Sequence, residues 1–185
     1  MAKVLEVRWH GRGGMGSVTS AELFASAAID EGKYAQSFPS FGPERRGAPV
    51  VAFLRISDEF IRIRTNIDQP DVVVVIDPKL LDQIDVTTGL KDDGKVIVNS
   101  GKSPEQLKSQ YGFKWSVASV DASKIARETI KLPITNTAMM GALERVTEAV
   151  KMESLVERLK ERFGARAEAN IEAMTRAYNE TVLKE

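Results

Sequence analysis

The sequence predicts an open three-layer α/β/α sheet, mostly parallel with an antiparallel hairpin, followed by C-terminal helices. Three observations point to it. Residues 72–76, Val-Val-Val-Val-Ile, are apolar on both faces, as a strand covered by helices on both sides requires. Strand-type and helix-type segments alternate from residue 4 to residue 131. A glycine-rich turn, Gly11-Arg12-Gly13-Gly14-Met15-Gly16, stands between a strand-like run and a helix-like run. That order lets backbone come close to an anion and aims the unpaired N–H groups of a new helix at it.

The first run, residues 4–10, alternates Leu5, Val7 and Trp9 with Glu6, Arg8 and His10. Its polar side is expected to meet solvent, a ligand or another subunit. His10, at the carboxyl end, suits either a hydrogen bond to loop backbone or a ligand contact. The helix over 17–31 is rich in Ala and Ser and ends before Gly32, a C-cap residue. The glycine turn has two readings: a tight turn that lets the helix pack close to the sheet, or phosphate recognition in addition. Its spacing satisfies G-x-G-x-x-G, but the second strand, residues 34–38, ends without the acid that holds a ribose, and no Gly-Lys-Ser/Thr follows.

Residues 39–49 form a loop stiffened by three prolines and carrying Arg45 and Arg46, a composition suited to a partner or an anionic ligand. Residues 50–56 and 60–64 alternate around Ser57-Asp58-Glu59 and read as a hairpin, with Arg55, Arg62 and Arg64 forming a basic stripe. After the strand at 72–76, Asp77-Pro78 caps a short helix over 79–84. Strands follow at 95–99 and 115–120, with a capping box at Ser103 and a helix over 122–131 capped by Asp121. Thr135 or Asn136 then caps a helix to about residue 150, and two amphipathic helices separated by Gly164 complete the chain. The expected organisation is one domain over 1–185, with 136–185 a helical portion packed on it.

Lys plus Arg and Asp plus Glu number 26 each, so a generally basic nucleic-acid binder is not expected. No apolar run is long enough to span a bilayer and no charged-then-apolar leader opens the chain, which gives a cytoplasmic expectation. There is no cysteine and one histidine. Thiolate ligation of an iron–sulfur cluster, disulfides, thiol catalysis and multi-histidine metal sites are therefore excluded on this chain.

Gly11–Gly16 after a strand, Ser40-Phe41-Gly42-Pro43-Glu44-Arg45-Arg46-Gly47, the strand running into Asp77-Pro78, and the segment Pro133-Ile134-Thr135-Asn136-Thr137-Ala138-Met139-Met140-Gly141-Ala142 together resemble the gamma subunit or domain of 2-oxoacid:ferredoxin oxidoreductases, with the pyruvate enzyme (pyruvate synthase) the nearest in pattern. Met15 departs from the glutamine of many members. The resemblance implies a subunit of an enzyme that converts pyruvate and coenzyme A to acetyl-coenzyme A and carbon dioxide while reducing ferredoxin. It places thiamine diphosphate, Mg2+ and [4Fe-4S] clusters on the alpha, beta and delta partner subunits, with no cofactor on this chain, which is expected to be inactive alone. Gly11, Arg12, Gly13, Gly14 and Gly16, with Arg45 and Arg46, are then the expected surface for coenzyme A or for subunit contacts. Two other readings are a stand-alone nucleotide-binding oxidoreductase of Rossmann-like type and a purely structural assembly module.

Overall fold

Residues 4–40 and 48–184 are described by the computed structural model. The strands are β1 (Leu5–Arg12), β2 (Tyr34–Pro39), β3 (Pro49–Ser57), β4 (Val72–Val75), β5 (Lys95–Asn99), β6 (Ser116–Val120) and β7 (Val182–Lys184). The helices are α1 (Ser17–Asp30), α2 (Pro104–Tyr111), α3 (Ala122–Thr129), α4 (Asn136–Thr147), α5 (Met152–Phe163) and α6 (Ala167–Glu180). All seven strands join one mixed sheet in the order β2-β3-β1-β4-β5-β6-β7, with helices on both faces. The four central strands β1, β4, β5 and β6 run parallel.

The valine run forms β4 as expected, and its two-sided apolarity has a use on each side. Val72 and Val74 join Ile97, Ala118 and Trp9 beneath α1 and α3 to α6. Val73 and Val75 join Val96, Val98 and Val117 beneath Leu80, Leu90 and Leu107. Small residues set the spacing of the first layer: Ala21, Ala25, Ala27 and Ala28 of α1 are buried around Phe24. The helix stops in a Schellman turn, with Gly32 at φ 80°, its N–H donating to Ile29 and that of Lys33 to Ala28. The capping box of Ser103 and Gln106 and the Asp121 cap form as read from the sequence.

Several expectations are corrected. Residues 49–56 pair antiparallel with β1 and residues 52–57 with β2, whereas residues 60–64 form no strand, so the antiparallel partner of β3 is β2 and not the segment that follows it. Alternation marked residues 60–64 as strand-like, but β1 and β2 already occupy both edges of β3. Arg55 belongs to no surface stripe: it is buried, donates from Nε to Glu6 Oε1 at 2.8 Å and from Nη1 to the Thr65 carbonyl at 2.8 Å. The polar side of β1 is covered by residues 85–88 of this same chain, where Arg8 donates to the carbonyls of Val86 and Thr88. The helix expected over 79–84 is a 3-10 helix, Pro78–Asp82, capped by Asp77 as expected. The helix expected over 122–131 stops at Thr129, and that expected to about residue 150 stops at Thr147. Thr135 is the N-cap of α4 without a side-chain capping bond. β7, antiparallel to β6, has no counterpart in the sequence reading.

Glu144 is a buried carboxyl in the helical layer, 4% exposed, accepting the Val150 N–H at 3.1 Å. Burial raises its pKa from 4.5 to about 7, and the neighbouring charge of Glu31 pushes the same way. The folded state therefore holds this proton more tightly than the unfolded chain does. The associated stability is present below about pH 4.5 and is lost as pH rises through about 7. Glu144→Gln is expected to flatten the fall in thermal midpoint between pH 5 and pH 8; a variant with the same pH dependence as the parent would contradict this.

Candidate functional site

The chain leaves β1 through α1 toward β2 on one side, while β5 and β6 follow β4 on the other. The carboxyl ends of β1 and β4 are thus the switch point of the sheet, where open α/β folds bind ligands. Gly11–Gly16 follows β1 there and Asp77 follows β4.

The glycines have separable reasons. A Cβ on Gly11 would stand 2.3 Å from Ser17 Oγ, and one on Gly16, at φ 82°, would stand 2.7 Å from Asn136 Nδ2. These two positions let α1 close on β1 and let the start of α4 close on the turn. Gly14 differs: it has φ 91° and is exposed, with nothing among the described residues within 4 Å of a built Cβ, so it is required by backbone conformation. The Gly13 N–H donates to the Ala48 carbonyl at 3.1 Å, which ties the turn to the start of β3.

Arg12 reaches across the switch point. Its Nε donates to Asp77 Oδ2 at 2.5 Å and its Nη2 to Gln83 Oε1 at 2.8 Å. Asp77 uses its other oxygen to accept the Lys79 N–H at 3.1 Å, so one carboxylate caps the 3-10 helix and anchors the guanidinium. Arg12 thus contributes its charge to the site as part of an ion pair. Arg45 and Arg46 lie outside the described residues.

Behind the turn the polar groups are packed tightly. Asn99 donates to the Ile76 carbonyl at 2.9 Å and accepts the Ser123 N–H at 3.1 Å, fixing the ends of β4 and α3 against one another. Ser17 Oγ, Thr135 Oγ1 and Asn136 Oδ1 are buried without a hydrogen-bond partner, all near the starts of α1 and α4. Within α1 the first amide bonded back to the turn is that of Ser20, to Gly16. The N–H groups of Ser17, Val18 and Thr19 therefore lie in the first turn, at the positive end of the helix. His10 accepts from Arg8 Nε at 3.1 Å, and burial together with the Arg8 charge lowers its pKa to about 3. The imidazole is neutral and accepts at Nε2, while its Nδ1 is buried without a hydrogen-bond partner.

Gln83 and Asp82 also line an open cleft of about 470 Å³ with Asp85, Tyr111, Phe113 and Trp115. Sequence reasoning assigned Asp77 only its capping role and gave Gln83, Asn99 and Ser17 none. An aspartate closing a central parallel strand was the available signal for the first.

The topology argues against a dinucleotide fold. β2 is separated from β1 by the antiparallel β3, so the strand that would present a ribose-binding acid beside the turn is not adjacent to it.

Residues 6–180 match the family model of pyruvate ferredoxin/flavodoxin oxidoreductase. The chain belongs to that family. The common gamma subunit of the pyruvate/ketoisovalerate oxidoreductases of Thermococcus kodakarensis is 56% identical to it over 184 residues, covering 98% of this chain and 100% of that one. The pyruvate synthase subunit PorC of Methanothermobacter thermautotrophicus is 48% identical over 178 residues, covering 96% of each chain. The crystal structure of the pyruvate oxidoreductase subunit PORC of Thermotoga maritima superposes with a TM-score of 0.87 at 41% identity, over 99% of each chain. The chain is accordingly a gamma-type subunit of a 2-oxoacid ferredoxin oxidoreductase, in agreement with the resemblance drawn from its motifs.

The family segment 133–142 acquires a physical meaning in this frame. Asn136 packs under Gly16, and Thr137 donates to Asn170 Oδ1 at 3.1 Å. Met139 and Met140 fill the core, and Gly141 lets α6 cross α4 in close contact. The chain has no cysteine, and among the described residues no three His, Asp or Glu side chains converge. No helix among those residues is long and apolar enough to cross a membrane.

Proposed function

We propose that this chain is the non-cluster gamma subunit of a cytoplasmic pyruvate:ferredoxin oxidoreductase that converts pyruvate and coenzyme A to acetyl-coenzyme A, carbon dioxide and reduced ferredoxin. Its full-length likeness to gamma subunits of pyruvate oxidoreductases carries the reading. The alpha, beta and delta subunits hold thiamine diphosphate, Mg2+ and the [4Fe-4S] clusters and do the decarboxylation and electron transfer. This chain, which has no cysteine to ligate a cluster, docks on them and supplies part of the surface that faces coenzyme A.

The chemistry available at the switch point suits that part. Coenzyme A carries phosphates, and the first turn of α1 presents backbone N–H groups close in sequence to Gly14, which is exposed. Arg12, held by Asp77, brings a guanidinium group there, and the sequence carries the adjacent cations Arg45 and Arg46 shortly before β3. Replacing Arg45 and Arg46 together by alanine in the assembled enzyme is expected to raise the KM for coenzyme A about tenfold, the effect of losing one charge-assisted contact of about 1.4 kcal/mol. Unchanged KM and unchanged co-purification of the four subunits would overturn this assignment of the surface.

A further inference from the structure

The face of the sheet opposite α1 carries the open cleft of about 470 Å³ between residues 81–87 and residues 111–115, to which the proposed function gives no role. Both of its walls are fixed from behind. Arg8 holds the carbonyls of Val86 and Thr88, and Thr87 donates from its N–H and its hydroxyl to Asp85. On the other wall α2 ends at Gly112, φ 67°, and the Phe113 N–H donates to the Lys108 carbonyl at 3.2 Å. The Tyr111 and Phe113 rings on either side of that glycine are stacked, with centroids 5.7 Å apart and planes at 28°. Trp115 is anchored by its Nε1–H on the Lys91 carbonyl at 2.8 Å. One wall thus presents three half-buried aromatic rings within five residues of sequence.

The opposite wall is acidic. Asp82 and Asp85 are exposed, and what they accept comes from neutral donors: the Tyr111 hydroxyl at 3.3 Å for Asp82, the hydroxyls of Thr87 and Thr88 for Asp85. Both carboxylates keep their charge. Among the described residues that line the cleft there is no lysine or arginine. Neighbouring cations are engaged elsewhere. Lys114 lies 4.9 Å over the Trp115 ring and pairs with Asp92, Arg12 pairs with Asp77, and Arg8 is buried behind the wall.

Ring faces attract a cation and carboxylates fix it at the rim, a pairing that suits a guanidinium or ammonium group and repels an anion. Exposed carboxylates alone hold a cation weakly in water, whereas an aromatic wall that excludes water strengthens both contacts. The cleft opens to solvent instead of enclosing a small molecule, and it lies on a chain whose relatives are named as subunits.

We infer that this cleft receives an arginine or lysine side chain of a partner subunit, its stem on the aromatic wall and its charge at Asp82 and Asp85. The inference rests on the reading that this chain docks on the other subunits, and adds to it a place and a chemistry.

The test has two parts. Hydroxyl-radical footprinting compares the full chain alone with the assembled enzyme, and oxidation of Tyr111, Phe113 and Trp115 is expected to be lost on assembly. Binding of the full chain to the other subunits is then compared between variants. Asp82→Lys is expected to weaken it about tenfold with unchanged circular dichroism, and Asp82→Glu to retain it. Unchanged oxidation of the three rings on assembly, or parental affinity of Asp82→Lys, would overturn the inference while the docking reading stands. A parent that does not bind the other subunits would remove both. Oxidation that falls as the lone chain is concentrated would assign the cleft to a second copy and overturn the inference as well. Should Asp82→Lys fail to fold, the footprint of the parent decides.

Discussion

Gly141→Ala is expected to destabilise the chain by about 3 kcal/mol, the upper range for inserting a methyl where nothing can yield. The position lies inside α4, and a Cβ there would stand 2.0 Å from the Met174 carbonyl oxygen and 3.1 Å from the Tyr178 amide nitrogen, both backbone atoms of α6. Side chains can rotate away from an added methyl, whereas helix backbone moves only if the α4–α6 crossing opens. That crossing also carries Met139, Met140 and Leu143 against Met174 and Ala177, all fully buried. Denaturant unfolding would measure the loss. Gly112→Ala is the control, at φ 67° with open space around the Cβ, where only the left-handed backbone penalty of about 1 kcal/mol applies. Equal losses for the two variants would mean that the helices do not cross as closely as described.

Arg55→Met is expected to cost about 2–3 kcal/mol, for a different reason. Arg55 is 1% exposed and serves as the internal tie of the antiparallel half of the sheet. It bonds Glu6 on β1, the carbonyls of Thr65 and Asn66 on the following segment, and lies 5.7 Å over the Phe38 ring on β2. Methionine fills similar volume but leaves Glu6 with Lys91 at 3.6 Å as its remaining cation and two loop carbonyls to water. Beyond the loss of global stability, amide exchange over residues 60–67 should accelerate, because that segment is held by these carbonyl bonds. Arg55→Lys is expected to recover little, since one ammonium cannot span the fork of contacts. A variant within 0.5 kcal/mol of the parent, the range of ordinary surface changes, would show the tie to be dispensable.

Much of the fold is legible in the sequence wherever a local rule acts alone. The two-sided apolarity of residues 72–76 gives β4, the Ser103–Gln106 spacing gives a capping box, and Gly32 gives the end of α1. The failures have a common source in partner choice. Residues 60–64 alternate like a strand, but which strand lies beside β3 is set by long-range pairing with β1 and β2, 37 to 51 residues away for β1, and local pattern is blind to it. Arg8, on the polar side of β1 expected to meet solvent, a ligand or another subunit, and Arg55, expected in a basic stripe, are misplaced for the same reason: their acceptors are carbonyls and a carboxylate distant in sequence. At the switch point the glycines are legible as a turn, whereas the Arg12–Asp77 bridge joins residues 65 apart and is visible only in three dimensions.

That bridge also changes what the turn can be. Two of the glycines are explained by the close approach of Ser17 and Asn136, and Gly14 is exposed, with no described residue within 4 Å of a built Cβ. On the proposed function, an anionic ligand there would meet backbone N–H groups of the first turn of α1 and an arginine already paired with Asp77.

The most direct measurement is pyruvate-dependent ferredoxin reduction with coenzyme A, assayed with this chain alone, with the alpha, beta and delta subunits without it, and with all four. The account predicts no turnover by the lone chain and coenzyme A-dependent activity that needs its presence. Release of carbon dioxide from pyruvate by the isolated chain, or full activity of the other three subunits without it, would contradict the account.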